Sequence, residues 1–244
     1  MAESASILSP DKTVLLPVKE AGCPLADMLD ARQLRKWKAE YKGRPVVTYI
    51  NSTAEVKAES DICCTSANAV DVVNALESDE VLFGPDMNLG AYVQARTRKK
   101  LIIWNGYCAT HAWVKSEEIS TAKREHPSAE VVAHPECMPE VLNLADHVCS
   151  TSGMSACARE SDASEFIIVT EAGMLHRLKK DNPGKRFYLA SKRLLCPNMK
   201  MTTLDSVAAA LERMEHQISV GEDIRKRAAA ALDRMLEVSG RSEK

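Results

Sequence analysis

No stretch of this chain stays apolar long enough to cross a bilayer, so no membrane-spanning helix is expected. The segment after Met1 (MAESASILSPDK) has no basic run ahead of an apolar one, so no secretory signal is expected and a cytoplasmic location follows. There is no C-x-x-C pair, which argues against a zinc ribbon or a thioredoxin-type site. The lack of a G-x-G-x-x-G fingerprint counts against a nicotinamide dehydrogenase, and the lack of G-x-S-x-G against a nucleophile elbow. Lysine and arginine form no stripe, so no nucleic-acid partner is expected.

What is present suits a soluble globular chain. Apolar residues make up 45% of the 244, charged residues 27%, and the net charge is -2 with signs mixed throughout. That length holds one to three small units. Eight cysteines occur, at 23, 63, 64, 108, 137, 149, 157 and 196. In a reducing compartment a disulfide framework is not expected, and buried thiols act as small apolar side chains.

The chain carries a repeat. Tyr49, Asn51 and Glu55 sit at or just past the end of the apolar run VVTYIN, and 85 positions on His134, Glu136 and Glu140 sit likewise at or just past the end of AEVVAHPE. At the same offset Cys64-Thr65-Ser66 matches Cys149-Ser150-Thr151, and VLFGPD matches FIIVTE. LIIWNGYC and RFYLASKRLLC end at Cys108 and Cys196, 88 apart. A fixed offset across several segments is a fold signal. Each copy alternates continuous apolar runs with charged helical stretches, which predicts parallel βαβ units, hence α/β sandwich domains with small parallel sheets. The Ser/Thr cluster, the acidic residue (Asp86 or Glu171) and the cysteine fall at carboxyl ends of strands, where open α/β sheets bind ligands.

Shifted back by 85, Cys108 falls on Cys23 and Asp86 on the first residue. The repeat thus predicts three αβα domains, the first represented only by a helix near Ala2 to Leu8, a strand from Thr13 to Val18 and its cysteine. The expected organisation is 1–43 as that first portion, 44–123 and 124–203 as the second and third domains, and 204–244 as amphipathic helices covering the first. Counterparts of roughly Arg44 to Pro85 are missing from copy one, so this chain alone is expected to be poorly active, with an exposed sheet edge prone to aggregation.

Cys23, Cys108 and Cys196 hold one equivalent position in three copies. Three thiolates suit an iron–sulfur cluster that keeps one iron open. Three unrelated buried cysteines, or a three-cysteine zinc site, are the other readings of that pattern.

AGCPLADM, YINSTAEVKAESDICCTSAN, GPDMNLG, WNGYC with His111, HPEC, STSG, TEAGMLHRL and CPNMKM together resemble the signature segments of the quinolinate synthase family, over positions 1 to about 235. The resemblance implies three similar αβα domains around a 4Fe–4S cluster, with Cys23, Cys108 and Cys196 as its ligands. It implies condensation of iminoaspartate with dihydroxyacetone phosphate to quinolinate, with loss of phosphate and water, in de novo NAD biosynthesis. It assigns Glu136 as acid–base group, with His134 orienting it or bonding substrate. Tyr49 and Asn51 would contact substrate, and Ser66, Ser150 and Thr151 would donate to carboxylate or phosphate. The iminoaspartate-producing enzyme is an expected partner.

Each of these residues also has a plainer reading. Ser66, Ser150, Thr151, Asn51 or Ser52 fit helix caps, His134-Pro135-Glu136 fits a turn with Pro135 opening a helix, and Tyr49 fits core packing. His111 is equally a neighbour of the cluster or a surface histidine. An electron-transfer iron–sulfur protein, or a non-catalytic form of the fold without a cluster, are the alternative functions.

Overall fold

The computed structural model describes residues 1–242. They form two compact units, Met1–Gly106 with Pro197 onward, and Tyr107–Cys196.

The first unit runs α1 (Ala2–Leu8), α2 (Ala31–Glu40), β1 (Val46–Tyr49), α3 (Ala54–Ala58), β2 (Ile62–Cys64), α4 (Ala69–Ala75), β3 (Glu80–Gly84), α5 (Met87–Gln94) and β4 (Lys100–Ile103). The second runs α6 (Ala109–Ala112), α7 (Ser116–Glu125), β5 (Glu130–Ala133), α8 (Pro139–Leu142), β6 (His147–Val148), α9 (Thr151–Glu160), β7 (Glu165–Val169), α10 (Met174–Asp181) and β8 (Arg186–Leu189). The chain then returns to the first unit as α11 (Pro197–Met201), α12 (Leu204–Arg213) and α13 (Glu222–Ser242). Among the described residues no helix is long and apolar enough to cross a membrane.

Each unit contains one four-stranded, all-parallel sheet flanked by helices, in the orders β2-β1-β3-β4 and β6-β5-β7-β8. The fold is thus α/β, as the alternation of apolar runs and helical stretches predicts. In both units an aspartate just before the second strand ties that edge strand to the first strand of the unit. Asp61 accepts from Val46 N at 2.8 Å, and Asp146 from Val131 N at 2.7 Å.

Side chains alternate along a strand, so each sheet fills two cores. In the second unit Val131, Ala133, Ile167 and Val169 face Ile119, Ala122, Val141 and Leu194. Val132, Phe166 and Ile168 face Met154, Ala158, Leu178 and Phe187. Phe166 is fully buried and stacks on Phe187 at 5.4 Å. The Phe166→Ala variant is therefore expected to lose about 3–5 kcal/mol of stability. Urea unfolding checks this, and a loss under about 1 kcal/mol would contradict the packing described.

In the first unit α2 starts with a reciprocal cap. Gln33 N donates to Asp30 Oδ1 at 2.7 Å, and Asp30 N to Gln33 Oε1 at 2.8 Å. Its Leu34 and Trp37 pack with Leu29, Val46, Val56 and Leu82. At Gly90 of α5 a Cβ would come within 2.8 Å of the Ile103 side chain, so glycine lets this helix lie close on β4.

Three local expectations are corrected. The segment from Thr13 to Val18 forms a single antiparallel bridge, Leu15 to Gln217, rather than a strand. Its bonds go to residues 216 and 218, and Pro17 has no N–H to extend a ladder. The cap of α3 is Thr53, not Asn51 or Ser52. No helix opens at Pro135; the next begins at Pro139. The return helix α13 buries Ala228, Ala231, Leu232 and Met235, packing on α1 and on α3, β2 and α4. α12 buries only Ala210 and leaves Leu204 and Leu211 exposed.

Candidate active site

The carboxyl ends of β5 and β7 and the turn before α6 converge in the second unit. β5 releases the chain into His134-Pro135-Glu136-Cys137, a turn tied by Cys137 N to His134 O at 3.0 Å and by His134 N to Val169 O at 3.1 Å. Cys108 stands at the start of α6, one helical turn before His111, so both side chains share one face.

His111 occupies the centre. Its Nδ1 lies 3.2 Å from Cys108 Sγ and 3.2 Å from Glu136 Oε2, and its Nε2 lies 2.9 Å from Thr170 Oγ1. The imidazole stacks on His134 with centroids 4.6 Å apart. His111, His134 and Glu136 are all buried. Burial works against charging His111, but the bonds to the Cys108 sulfur and the Glu136 carboxylate outweigh it and hold its pKa up at about 10. Both ring nitrogens are then donors, with the Cys108 sulfur, the Glu136 carboxylate and the Thr170 hydroxyl able to accept.

His134 goes the other way. Burial, assisted by the charge of His111, pushes its pKa down to about 4 against the nearby Glu136. Glu136 N donates to His134 Nδ1 at 3.4 Å, whereas the Nδ1–Oε1 separation of 3.9 Å would be an ion pair only for a charged ring. The backbone bond fits the neutral ring, so the proton sits on Nε2.

The pair sets a pH dependence. His134 titrates near 6.5 when unfolded and near 4 when folded, so below about 6.5 the unfolded chain binds the extra proton and stability falls as pH drops toward 4. His111 is protonated in the folded chain throughout but in the unfolded chain only below about 6.5, so it adds an opposite slope near pH 7 that fades below about 6 and is shared by the parent and His134→Asn. The urea midpoint of the parent chain is expected to fall between pH 7 and pH 5 by more than that of His134→Asn. Equal slopes in the two would assign the acid limb to other groups.

Two further expected residues have structural bonds. Ser150 caps α9, accepting from Gly153 N at 3.2 Å, and Thr151 is the exposed first residue of that helix. The Glu171 carboxylate accepts from Gly173 N at 2.7 Å and Cys196 N at 3.3 Å, fixing the backbone of a candidate ligand. Cys108 and Cys196 lie in turns several residues past β4 and β8 rather than at the strand ends.

In the first unit Tyr49 ends β1 and is buried, and Asn51 follows in the turn, its Nδ2 donating to Cys23 Sγ at 3.6 Å. Ser66 lies in the turn after β2, where Asn68 Oδ1 accepts from Thr65 N at 2.7 Å. Asp86 is buried with φ 143°, a value side chains rarely adopt, and caps α5 by accepting from Leu89 N at 2.8 Å. Lys57 is wholly buried and donates to the carbonyl of Ser52, beside Asn51. Burial lowers its pKa.

Sequence reasoning left His111 undecided and did not single out Thr170 or Lys57. The C-x-x-H spacing of Cys108 and His111 was the available signal for the first. Thr170 and Lys57 sit among ordinary strand-end and helical residues and had none.

An α/β protein that gathers a thiol, an imidazole pair and a carboxylate at strand ends has the makeup of an enzyme site. Residues 1–237 match the family model described as Quinolinate synthetase A protein. A curated quinolinate synthase of Dehalococcoides mccartyi is 57% identical over 239 residues, 98% of this chain and 79% of that one. One from a Geobacter species is 56% identical over 238 residues, 98% and 78% of the two chains, and quinolinate synthase 1 of Methanosarcina acetivorans is 54% identical with the same coverage. The chain belongs to the quinolinate synthetase A family.

Proposed function

We propose that this chain is a quinolinate synthase, a cytoplasmic transferase of NAD biosynthesis that condenses iminoaspartate with dihydroxyacetone phosphate, releasing phosphate and water. The observation that carries the reading is the buried His111–Glu136 pair beside half-buried Cys108, with neutral His134 stacked on the His111 ring.

The donor set fits a 4Fe–4S cluster. Cys23, Cys108 and Cys196 are half-buried in loops, as are Cys149 beside α9 and Cys157 on it, whereas Cys63, Cys64 and Cys137 are sealed in the core and burial drives the Cys63 thiol up to about 11. Cys23, Cys108 and Cys196 would be the ligands, and the iron they leave open would supply Lewis acidity for loss of a hydroxyl.

The protein's own groups carry the proton work. Glu136 is the acid–base group for the imine, enamine and carbonyl shifts. His111 holds one carboxylate oxygen from Nδ1 and so fixes the orientation of the carboxylate. Neutral His134 offers Nε2–H to a substrate oxygen. Asn51 and Tyr49 contact substrate, and Ser66, Ser150 and Thr151 receive its carboxylate and phosphate groups, aided by N–H groups at the start of α9. The iminoaspartate-producing enzyme would hand over an unstable imine directly.

The test is anaerobic reconstitution with iron and sulfide, followed by assay for quinolinate. Iron uptake with product formation supports the reading. Iron uptake with no product at all, as against slow formation, would leave an electron-transfer protein, and neither would leave a cluster-free fold.

A further inference from the structure

We propose that Glu130, His147 and Cys157 form a site for one borderline-soft divalent cation, Zn²⁺ in its simplest form, at the end of the second unit's sheet opposite His134 and Glu136. Glu130 opens β5 and His147 opens β6, two strands paired in parallel with Val132 opposite His147. Cys157 comes from the later turns of α9, which leaves the carboxyl end of β6 and runs back to the strands' amino ends. A carboxylate oxygen, an imidazole nitrogen and a sulfur, one from each residue, lie within 4.8 Å of one another.

The set is ordered and open to solvent. His147 Nε2 lies 3.1 Å from Glu130 Oε2, and Ser161 Oγ donates to the same oxygen at 2.9 Å, which orients the carboxylate. The Glu130 and His147 side chains are 33% and 42% exposed and Cys157 is half-buried, so an ion can enter without unfolding the unit.

The chemistry selects the metal. Thiolate and imidazole donors favour zinc over magnesium or calcium, which take oxygen ligands. Three protein ligands leave a fourth position for water. Zinc holds sulfur at roughly 2.3 Å and nitrogen or oxygen at roughly 2.0–2.2 Å, so side-chain rotation closes this set around it. On binding, the Zn–S bond forms, the Cys157 S–H bond breaks and its proton leaves to solvent. Burial, with Glu130 and Glu160, holds that thiol above its ordinary value, and Lys185 acts in the opposite sense. The Lys185 ammonium is itself engaged by the carbonyls of Ala158 at 2.8 Å and Ser161 at 2.5 Å. A bound ion would clip α9 to β5 and β6, steadying the helix whose other end begins at Ser150 and Thr151.

Alkylation of the folded chain with iodoacetamide, with and without buffered Zn²⁺, tests this by mass spectrometry of each cysteine. At free Zn²⁺ about 10 to 100 times its Kd, labelling of Cys157 is expected to slow roughly 10- to 100-fold, because only the unoccupied fraction reacts. In His147→Ala and Glu130→Gln the protection should largely disappear, while labelling of Cys149 at the start of the same helix stays as in the parent and reports that the unit remains folded. Zinc bound to other thiols, such as Cys108, leaves the Cys157 rate untouched and is thereby distinguished. Unslowed Cys157 labelling in the parent, or equal protection in His147→Ala, overturns the site.

Discussion

Glu136→Gln is expected to lower kcat for quinolinate formation by roughly 10²–10⁴-fold, the usual contribution of a positioned acid–base group. The change is nearly isosteric, and the amide oxygen can still meet His111 Nδ1, 3.2 Å from the carboxylate in the parent. What disappears is the carboxylate that the proposed mechanism uses to take up and return a proton. The His111 ring also loses one of the two groups that keep it charged, so it should become easier to deprotonate. Some stability goes with it, since removing one partner of a buried charged pair leaves the other uncompensated. Turnover is therefore compared well below the unfolding transition, and substrate affinity separately. A kcat within about twofold of the parent would remove Glu136 from the proton-transfer role.

Cys108→Ser carries the second large effect. It should leave the reconstituted chain with little stable iron or sulfide and with quinolinate formation near background, because a serine hydroxyl is a poor substitute for thiolate at iron. Cys63→Ala is the matched control. That sulfur is sealed inside β2, its thiol is held at about 11, and its loss should cost only a small cavity and no iron. Cys23→Ser and Cys196→Ser should behave like Cys108→Ser. Full iron content in Cys108→Ser would end the assignment of this residue as a ligand, whatever the activity.

Much of this architecture was legible in the sequence because parallel strands buried on both faces write themselves as continuous apolar runs. VVTY, EVVA and EFIIV became β1, β5 and β7, and both sheets have the same strand order. The positions of His134 and Glu136 followed from where such a run ends. The failures have physical causes too. A strand is defined by its neighbours, so the apolar TVLLPV segment could not show that only Leu15 would find a bridge partner. Burial is a tertiary property, so nothing adjacent in sequence marked His111 as the centre of a hydrogen-bonded set or Thr170 as its support. Amphipathic spacing predicted α12 and α13 alike, yet only α13 buries an extended face.

The ammonium of Lys57, tied beneath the turn that presents Asn51, has a use beyond holding that turn. Acylating reagents need a free amine that solvent can reach, and in the closed chain this one is sealed away. It would acquire a label only during excursions in which the turn lifts from its seat. Its slow modification, timed against exposed lysines in the same sample, is thus a built-in stopwatch for how often the Cys23–Asn51 corner breathes.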